Sequence, residues 1–275
     1  MRGDSPNARG DTVDLYDLAA LETALAGTLF AGKLHFSPAT DSTNTDALAA
    51  ARNGAPHGSV YFADEQLAGR GRGDHAWDSA AGEGLYLSVV LRSPIPAARL
   101  PLLPLAVGLA ATEAIRAVAG LTVDLRWPND LLLGPRKVGG ILAESKISGG
   151  SVDFAVAGIG INVHQRAFAA DLTTPATSLN LEAGQRVSRQ DLLTALLKSL
   201  ECETLLLADP AAGVTIPARV EQASTWIHGR WVEVHGPQAC TGVTAGLDEN
   251  GFLLVRTDAG VVTVQTGGIR TTDIS

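Results

Sequence analysis

Two arginines set among glycines are the first residues in this chain that could do chemistry. Residues Gln66 to Trp77 read Gln-Leu-Ala-Gly-Arg-Gly-Arg-Gly-Asp-His-Ala-Trp, a stretch that holds neither helix nor strand well and is expected to be a mobile loop. The guanidinium fork suits bidentate contact with phosphate or carboxylate, and flanking glycines let backbone amides approach an anion closely. Arg70 and Arg72 are therefore candidate anion ligands, although a solvated flexible loop accounts for the same residues. Arg126-Trp127-Pro128-Asn129-Asp130 is a second candidate. Proline stops a strand ladder and Asn-Asp favours a turn, so it is either a plain strand terminator or a site rim bearing a cation, an amide and a carboxylate. In Lys137-Val138-Gly139-Gly140-Ile141-Leu142-Ala143-Glu144, a lysine opens an apolar strand with two glycines inside it. Strand glycines mark a bulge or the close approach of a ligand. Gly158-Ile159-Gly160-Ile161-Asn162 repeats that pattern, and the missing side chains would leave a slot beside a sheet.

The elements that must position these groups alternate from His35 onward. Asp41-Ser42-Thr43-Asn44 supplies capping residues, so a helix is expected through Ala47 to Ala51. Strands are expected at Gly58–Ala63, Gly84–Leu91, Leu121–Trp127, Lys137–Ile147 and Val152–Val163, the last two joined by a turn at Ser148-Gly149-Gly150. A long helix with a proline-rich first turn is predicted over Arg99–Ala119, and an amphipathic one over Arg189–Leu207. Its most membrane-like part, Leu100–Thr112, is read as a buried helix too short to span a bilayer. Ahead of these, Leu15, Leu18, Leu21, Leu25 and Leu29 recur at helical spacing. Residues 1–12, with Arg-Gly-Asp at Arg2–Asp4 and again at Arg9–Asp11, read as a disordered tail.

Past Gly229, short strands at Trp231–His235, Thr241–Leu247, Phe252–Thr257 and Val261–Gln265 are punctuated by turn residues, the pattern of a small β-barrel. The expected layout is a tail over 1–12, a large domain over 13–228 and a β module over 229–275.

Bulk properties narrow the chemistry. With 275 residues and 45% apolar content, the chain can bury one sizeable core and a small second module. A net charge of −8 repels polyanions, so any phosphate chemistry must use local basic groups, and an RNA-binding reading of the Arg-Gly stretch fails. Two distant cysteines, Cys202 and Cys240, indicate neither a disulfide framework nor a zinc site. The N-terminus carries no export signal, which points to the cytoplasm.

Taken in order, Asp41-Ser42-Thr43-Asn44, Gln66 with Gly69-Arg70-Gly71-Arg72 and Trp77, Trp127-Pro128-Asn129-Asp130, Lys137 with Gly139 to Glu144, and Gly158 to Asn162 resemble the motif series of the biotin–protein ligases. The resemblance runs from about His35 to Val163, and the C-terminal β module matches the same layout. It implies an α+β fold: a mixed sheet flanked by helices, related to class II aminoacyl-tRNA synthetases and lipoate ligases, followed by an SH3-like barrel. It further implies two steps, in which biotin and ATP give biotinyl-5′-adenylate and the acyl group then passes to a lysine of a biotin carboxyl carrier domain.

By position, Ser42, Thr43, Asn44 and Gln66 would meet the biotin head group, and Gly158 and Gly160 would floor its pocket. Arg70, Gly71 and Arg72 would close over the carboxylate and phosphates, and Lys137 would bridge carboxylate and α-phosphate. Trp77 would cover the intermediate, Asn129 would orient the phosphates, and Asn162 would lie near the nucleotide. Arg70, Lys137 and Asp130 would be catalytic, with Asp130 biasing or accepting the proton of the attacking lysine. Magnesium would accompany ATP, its protein ligands unassigned.

The resemblance also implies a ligase without a DNA-binding domain, with no DNA or membrane partner, and dimerisation through sheet edges occurs among relatives. The chain departs from the family where Arg72 is followed by Gly73, Asp74 and His75 instead of further arginines, and where Arg126 replaces the usual lysine before Trp-Pro-Asn-Asp. Lipoate or octanoate attachment, and a non-catalytic biotin sensor, are the rival readings. Arg70 and Lys137 argue against the sensor, and the Gly-Arg-Gly-Arg loop with Trp-Pro-Asn-Asp favours biotin.

Overall fold

Residues 84–91 are buried without interruption, which no half-exposed strand would be, and they mark the middle of the main sheet. The structure is a computed structural model that describes residues 16–73, 75–92, 95–149, 151–209 and 215–271. The Arg-Gly-Asp tail, Asp74 and Gly150 lie outside the described residues. In chain order the larger part comprises α1 (Leu18–Ala24), β1 (Leu34–Thr40), α2 (Thr43–Arg52), β2 (Val60–Gln66), β3 (Gly84–Leu91), a 3-10 turn (Ala97–Leu102), α3 (Leu103–Ala119), β4 (Asp124–Arg126), β5 (Asp130–Leu133), β6 (Arg136–Ser148), β7 (Ser151–Asn162), α4 (Leu179–Ala183), α5 (Arg189–Ala208) and α6 (Thr215–Gln222).

The seven strands stand in the order β1-β2-β3-β7-β6-β5-β4. β1 and β2 are parallel and every other pair is antiparallel, so the sheet is mixed, as expected. Helices cover both faces, which explains why β3 is buried from end to end. On one face Val89, Leu91, Ala155 and Ala157 join the main core with α3 and α5. On the other, Val90, Phe154 and Val156 pack against Ala47, Leu48 and Ala51 of α2.

The predicted helix over 99–119 is two pieces. Pro101 falls inside the 3-10 turn, where a missing N–H and a rigid ring do not break an α-helical ladder. The α-helix proper starts at Leu103 and stops at Gly120, which takes a left-handed φ of 68° that side chains other than glycine rarely adopt. Together residues 97–119 form a helical run long and apolar enough to cross a membrane, and 67% of its most apolar window is buried inside the protein. The expectation of a stretch too short to span is thus corrected on length, while its reading as a buried helix holds.

The C-terminal strands are β8 (His228–His235), β9 (Cys240–Leu247), β10 (Leu253–Thr257), β11 (Gly260–Val264) and β12 (Gly268–Thr271). They form an antiparallel sheet in the order β11-β10-β9-β8-β12. Its two edge strands do not pair among the described residues, so the expected closed barrel is corrected to an open five-stranded sheet. Val232, Val234, Leu253, Val255, Val264 and Ile269 belong to the same core cluster as α3. Trp127, buried in the turn after β4, donates its indole N–H to the Gly251 carbonyl at 3.0 Å, pinning the small sheet to the large one.

Candidate active site

A cleft of about 540 Å³ opens over the sheet where β3, β7 and β6 run side by side. Ser42, Thr43, Asn44, Gln66, Arg70, Gly71, Arg72, Trp77, Asn129, Asp130, Lys137, Gly158, Gly160 and Asn162 all line it. The sequence candidates, spread over 121 positions from Ser42 to Asn162, therefore converge on one cavity. Its lining carries Arg70, Arg72, Arg126, Lys137 and Arg270 against the carboxylates Asp78 and Asp130. A chain that is acidic as a whole thus keeps a local positive field for an anion.

One end is a polar pocket with its donors and acceptors already arranged. Ser42 is the N-cap of α2, yet its side chain makes no capping bond. The Gln66 carbonyl oxygen accepts from the Thr43 amide at 2.9 Å and from its hydroxyl at 3.1 Å. The Gln66 amide nitrogen donates to Ser79 Oγ at 2.8 Å, and Thr43 Oγ1 lies 2.9 Å from Ser88 Oγ. These serines, 3% and 0% exposed, fix the rotamers of the residues in front of them.

Beside this pocket the floor is cut by glycines. A Cβ on Gly158 would stand 2.5 Å from Asn44 Oδ1, and one on Gly160 would stand 2.6 Å from Trp77 Nε1. Neither glycine has a positive φ, so the reason for their size is close approach and not backbone shape. The buried Trp77 Nε1 has no hydrogen-bond partner.

At the other end the charges meet. Lys137 Nζ is 2.5 Å from Asp130 Oδ1, and Arg126 Nη2 is 2.6 Å from Asp130 Oδ2. Burial pushes the Asp130 carboxyl upward, but the Lys137 ammonium and the Arg126 guanidinium outweigh it and hold the group below its ordinary value. Register explains the meeting: Asp130 pairs with Gly140 and Leu132 with Lys137 across a β-bulge in the β5–β6 ladder. Lys137 Nζ also stands 5.4 Å from the Trp77 ring centroid, within cation–π range. Asn129 donates to the Ile141 carbonyl at 2.7 Å, and Asn162 to the Thr177 carbonyl at 3.0 Å. Both amides therefore hold the cleft's frame through these bonds.

Arg70 and Arg72 diverge. Arg70 Nη2 donates to Glu144 Oε1 at 3.1 Å and is 44% exposed. Arg72 reaches the small sheet, donating to the Gly267 carbonyl at 2.7 Å and to Thr266 Oγ1 at 3.3 Å.

Sequence reasoning missed a whole wall. Gln165, Phe168, Leu172, Thr173, Thr174 and Ala176 line the cleft from a segment with no periodicity to read. Backbone bonds tie it to Lys137, whose N–H donates to Pro175 and whose carbonyl accepts from Thr177. Thr174 Oγ1 accepts from Arg126 at 3.0 Å. His235, Gly267, Gly268, Ile269 and Arg270 of the small sheet close the remaining side.

Residues 36–162 match the model of the biotin/lipoate A/B protein ligase family. The biotin–acetyl-CoA-carboxylase ligase of Mycobacterium tuberculosis is 34% identical over 245 residues, covering 84% of this chain and 85% of that protein. The chain belongs to the biotin protein ligase family. The bifunctional ligase/repressor BirA of Bacillus subtilis is 31% identical over 83% of this chain and 70% of its own length. Among solved structures, the biotin protein ligase of Aquifex aeolicus in complex with biotin and ATP superposes with a TM-score of 0.76 at 29% identity, covering 88% of this chain and all of that one.

Proposed function

We propose that this cleft joins biotin to ATP as biotinyl-5′-adenylate, releasing pyrophosphate, and then passes the acyl group to a lysine of a carboxylase's biotin carrier domain. The carrying observation is that Arg70 and Lys137 line the same cavity as the polar pocket of Ser42, Thr43 and Gln66. An acid whose neutral ring sits among hydrogen-bonding groups brings its carboxylate to the cationic end.

In the first step the carboxylate oxygen attacks the α-phosphorus and the bond to pyrophosphate breaks. Two anions must meet, so cations fixed at their point of contact lower the barrier most. Lys137 serves both anions, Arg70 turns from Glu144 to the substrate, and Trp77 over Gly160 shields the mixed anhydride from water. Gly71 and Arg72 belong to the same closing loop, and Asn129 and Asn162 hold the nucleotide side of the frame. In the second step the carrier lysine's amine attacks the acyl carbon, AMP leaves, and the amine's proton must depart. Asp130, ionised and clamped between two cations, biases that proton electrostatically more than it accepts it.

Magnesium would accompany the nucleotide and screen the departing pyrophosphate. The phosphates and water are its natural ligands. On the same reading, residues 13–228 form a catalytic domain of the synthetase and lipoate-ligase type, and residues 229–275 an appended module of SH3-like lineage.

Purified protein mixed with ATP, magnesium and either biotin or lipoate tests this directly. Pyrophosphate release and labelling of a carrier domain are expected with biotin. Turnover with lipoate and none with biotin would overturn the assignment.

A further inference from the structure

Glu144 ends the glycine-bearing motif of β6 but does not line the cleft, and no role in the chemistry above falls to it. Its carboxylate nevertheless touches both ends of the site. Oε2 accepts from the Asn44 amide nitrogen in a short bond, and Oε1 accepts from Arg70 Nη2 at 3.1 Å. Asn44 is 3% exposed. Its Oδ1 has no hydrogen-bond partner and stands over Gly158, where even a methyl group would come within 2.5 Å.

A buried amide can lie in two orientations, and an ionised carboxylate accepts hydrogen bonds without donating any. Glu144 therefore permits only one: amide nitrogen toward itself, oxygen toward the cleft floor. A buried acceptor without a partner is unfavourable unless something supplies a donor, and Asn44 lines the cleft in which a substrate would sit.

We propose that Glu144 is a positioning residue that sets substrate choice, locking Asn44 with its oxygen toward the head-group pocket so that the site favours a ring bearing N–H donors over a ring without them. The inference rests on the functional reading above and deepens it. Biotin's ureido ring carries such donors, whereas the dithiolane of lipoate has none. The tie to Arg70 adds a second consequence. That contact is single, half-exposed and weak, as surface pairs are, so a substrate carboxylate displaces Glu144 from Arg70 and leaves its charge on Asn44 alone.

Reversing the polarity of the Asn44–Glu144 bond tests the proposal. In Glu144→Gln the amide partner no longer dictates which way Asn44 lies. The KM for biotin in pyrophosphate release should rise about tenfold, the loss expected for one hydrogen bond, with kcat within about twofold. Asn44→Asp alone sets two carboxylates against each other and should be worse. The double variant Asn44→Asp/Glu144→Gln restores one bond, now donated by the glutamine, and again leaves an acceptor over Gly158. Its biotin KM should return to within about threefold of the parent. Biotin titration without ATP and thermal melts of each variant separate binding from folding.

A Glu144→Gln enzyme with unchanged biotin KM, or a double variant no better than Asn44→Asp, overturns the proposal, because a merely structural carboxylate gives no reciprocal rescue. Parent enzyme that neither binds biotin nor releases pyrophosphate with it is a separate outcome. It overturns the functional reading itself and removes the ground of this one.

Discussion

Lys137 and Asp130 face each other at 2.5 Å across the hairpin of β5 and β6, and Arg126 holds the other carboxylate oxygen at 2.6 Å. The lysine proposed to meet both substrates is thus aimed by an anion that is itself clamped.

That clamp makes Asp130 matter for stability as well as rate. Its folded pKa lies below the ordinary 3.8, so its contribution is fully present above that value and is lost as pH falls through the folded value. Asp130→Asn should cost about 3 kcal/mol at neutral pH, since it strands two mostly buried cations. In urea titrations the gap to the parent should narrow as pH drops below 3.8. Transfer from preformed adenylate should slow by on the order of 100-fold. An undiminished transfer rate would remove Asp130 from the second step.

Gly160 is predicted to be intolerant of a methyl group. Gly160→Ala puts a carbon 2.6 Å from Trp77 Nε1 and 2.7 Å from Cε2, so the indole must leave its seat and its contact with Lys137. Tryptophan fluorescence should shift to the red, and bound adenylate should escape roughly five- to tenfold faster, the scale of one cation–π contact. Unchanged emission together with unchanged release would show that the ring does not cover the intermediate.

Arg72 should behave as a strap between loop and small sheet. Loss of its bonds to Gly267 and Thr266 in Arg72→Ala should speed amide exchange at residues 265–268 about tenfold, because charge-assisted bonds are the stronger kind. The KM for ATP should rise more than that for biotin. Arg72→Lys is not expected to rescue either effect, since one ammonium lacks the planar fork that serves two acceptors. Exchange at the parent rate in Arg72→Ala would mean that the strap carries no load.

Much of this site was legible in the sequence because its chemistry is local. Arg70 between glycines and the glycine pairs of β6 and β7 advertise a close approach, the Pro128 turn advertises a strand end with polar groups at its rim, and the strand expected at 84–91 matches β3 at both ends. What stayed hidden depends on partners far along the chain. Nothing near Glu144 tells that Asn44, a hundred positions earlier, would be its ligand. The wall at 165–176 has no period, and Arg270 sits in a four-residue strand. β1 went unread because Pro38 interrupts it; a proline survives there because β1 is an edge strand, where a missing donor leaves no ladder bond unmade. Strand spacing and the family resemblance both point to a barrel, but neither fixes closure or the pairing of the outermost strands, which here stand at opposite edges of the sheet.

The small sheet contributes Val232, Leu253, Val255 and Ile269 to the interior built around α3, and Trp127 anchors the turn bearing Asn129 and Asp130 to it through Gly251. Cutting the chain before residue 228 would therefore strip a shared keel, baring apolar surface on the larger part and loosening the very turn that aims Lys137. The last sixth of the polypeptide, though appended in sequence, shares the interior of the larger part, and damage there should surface as lost catalysis at a distance.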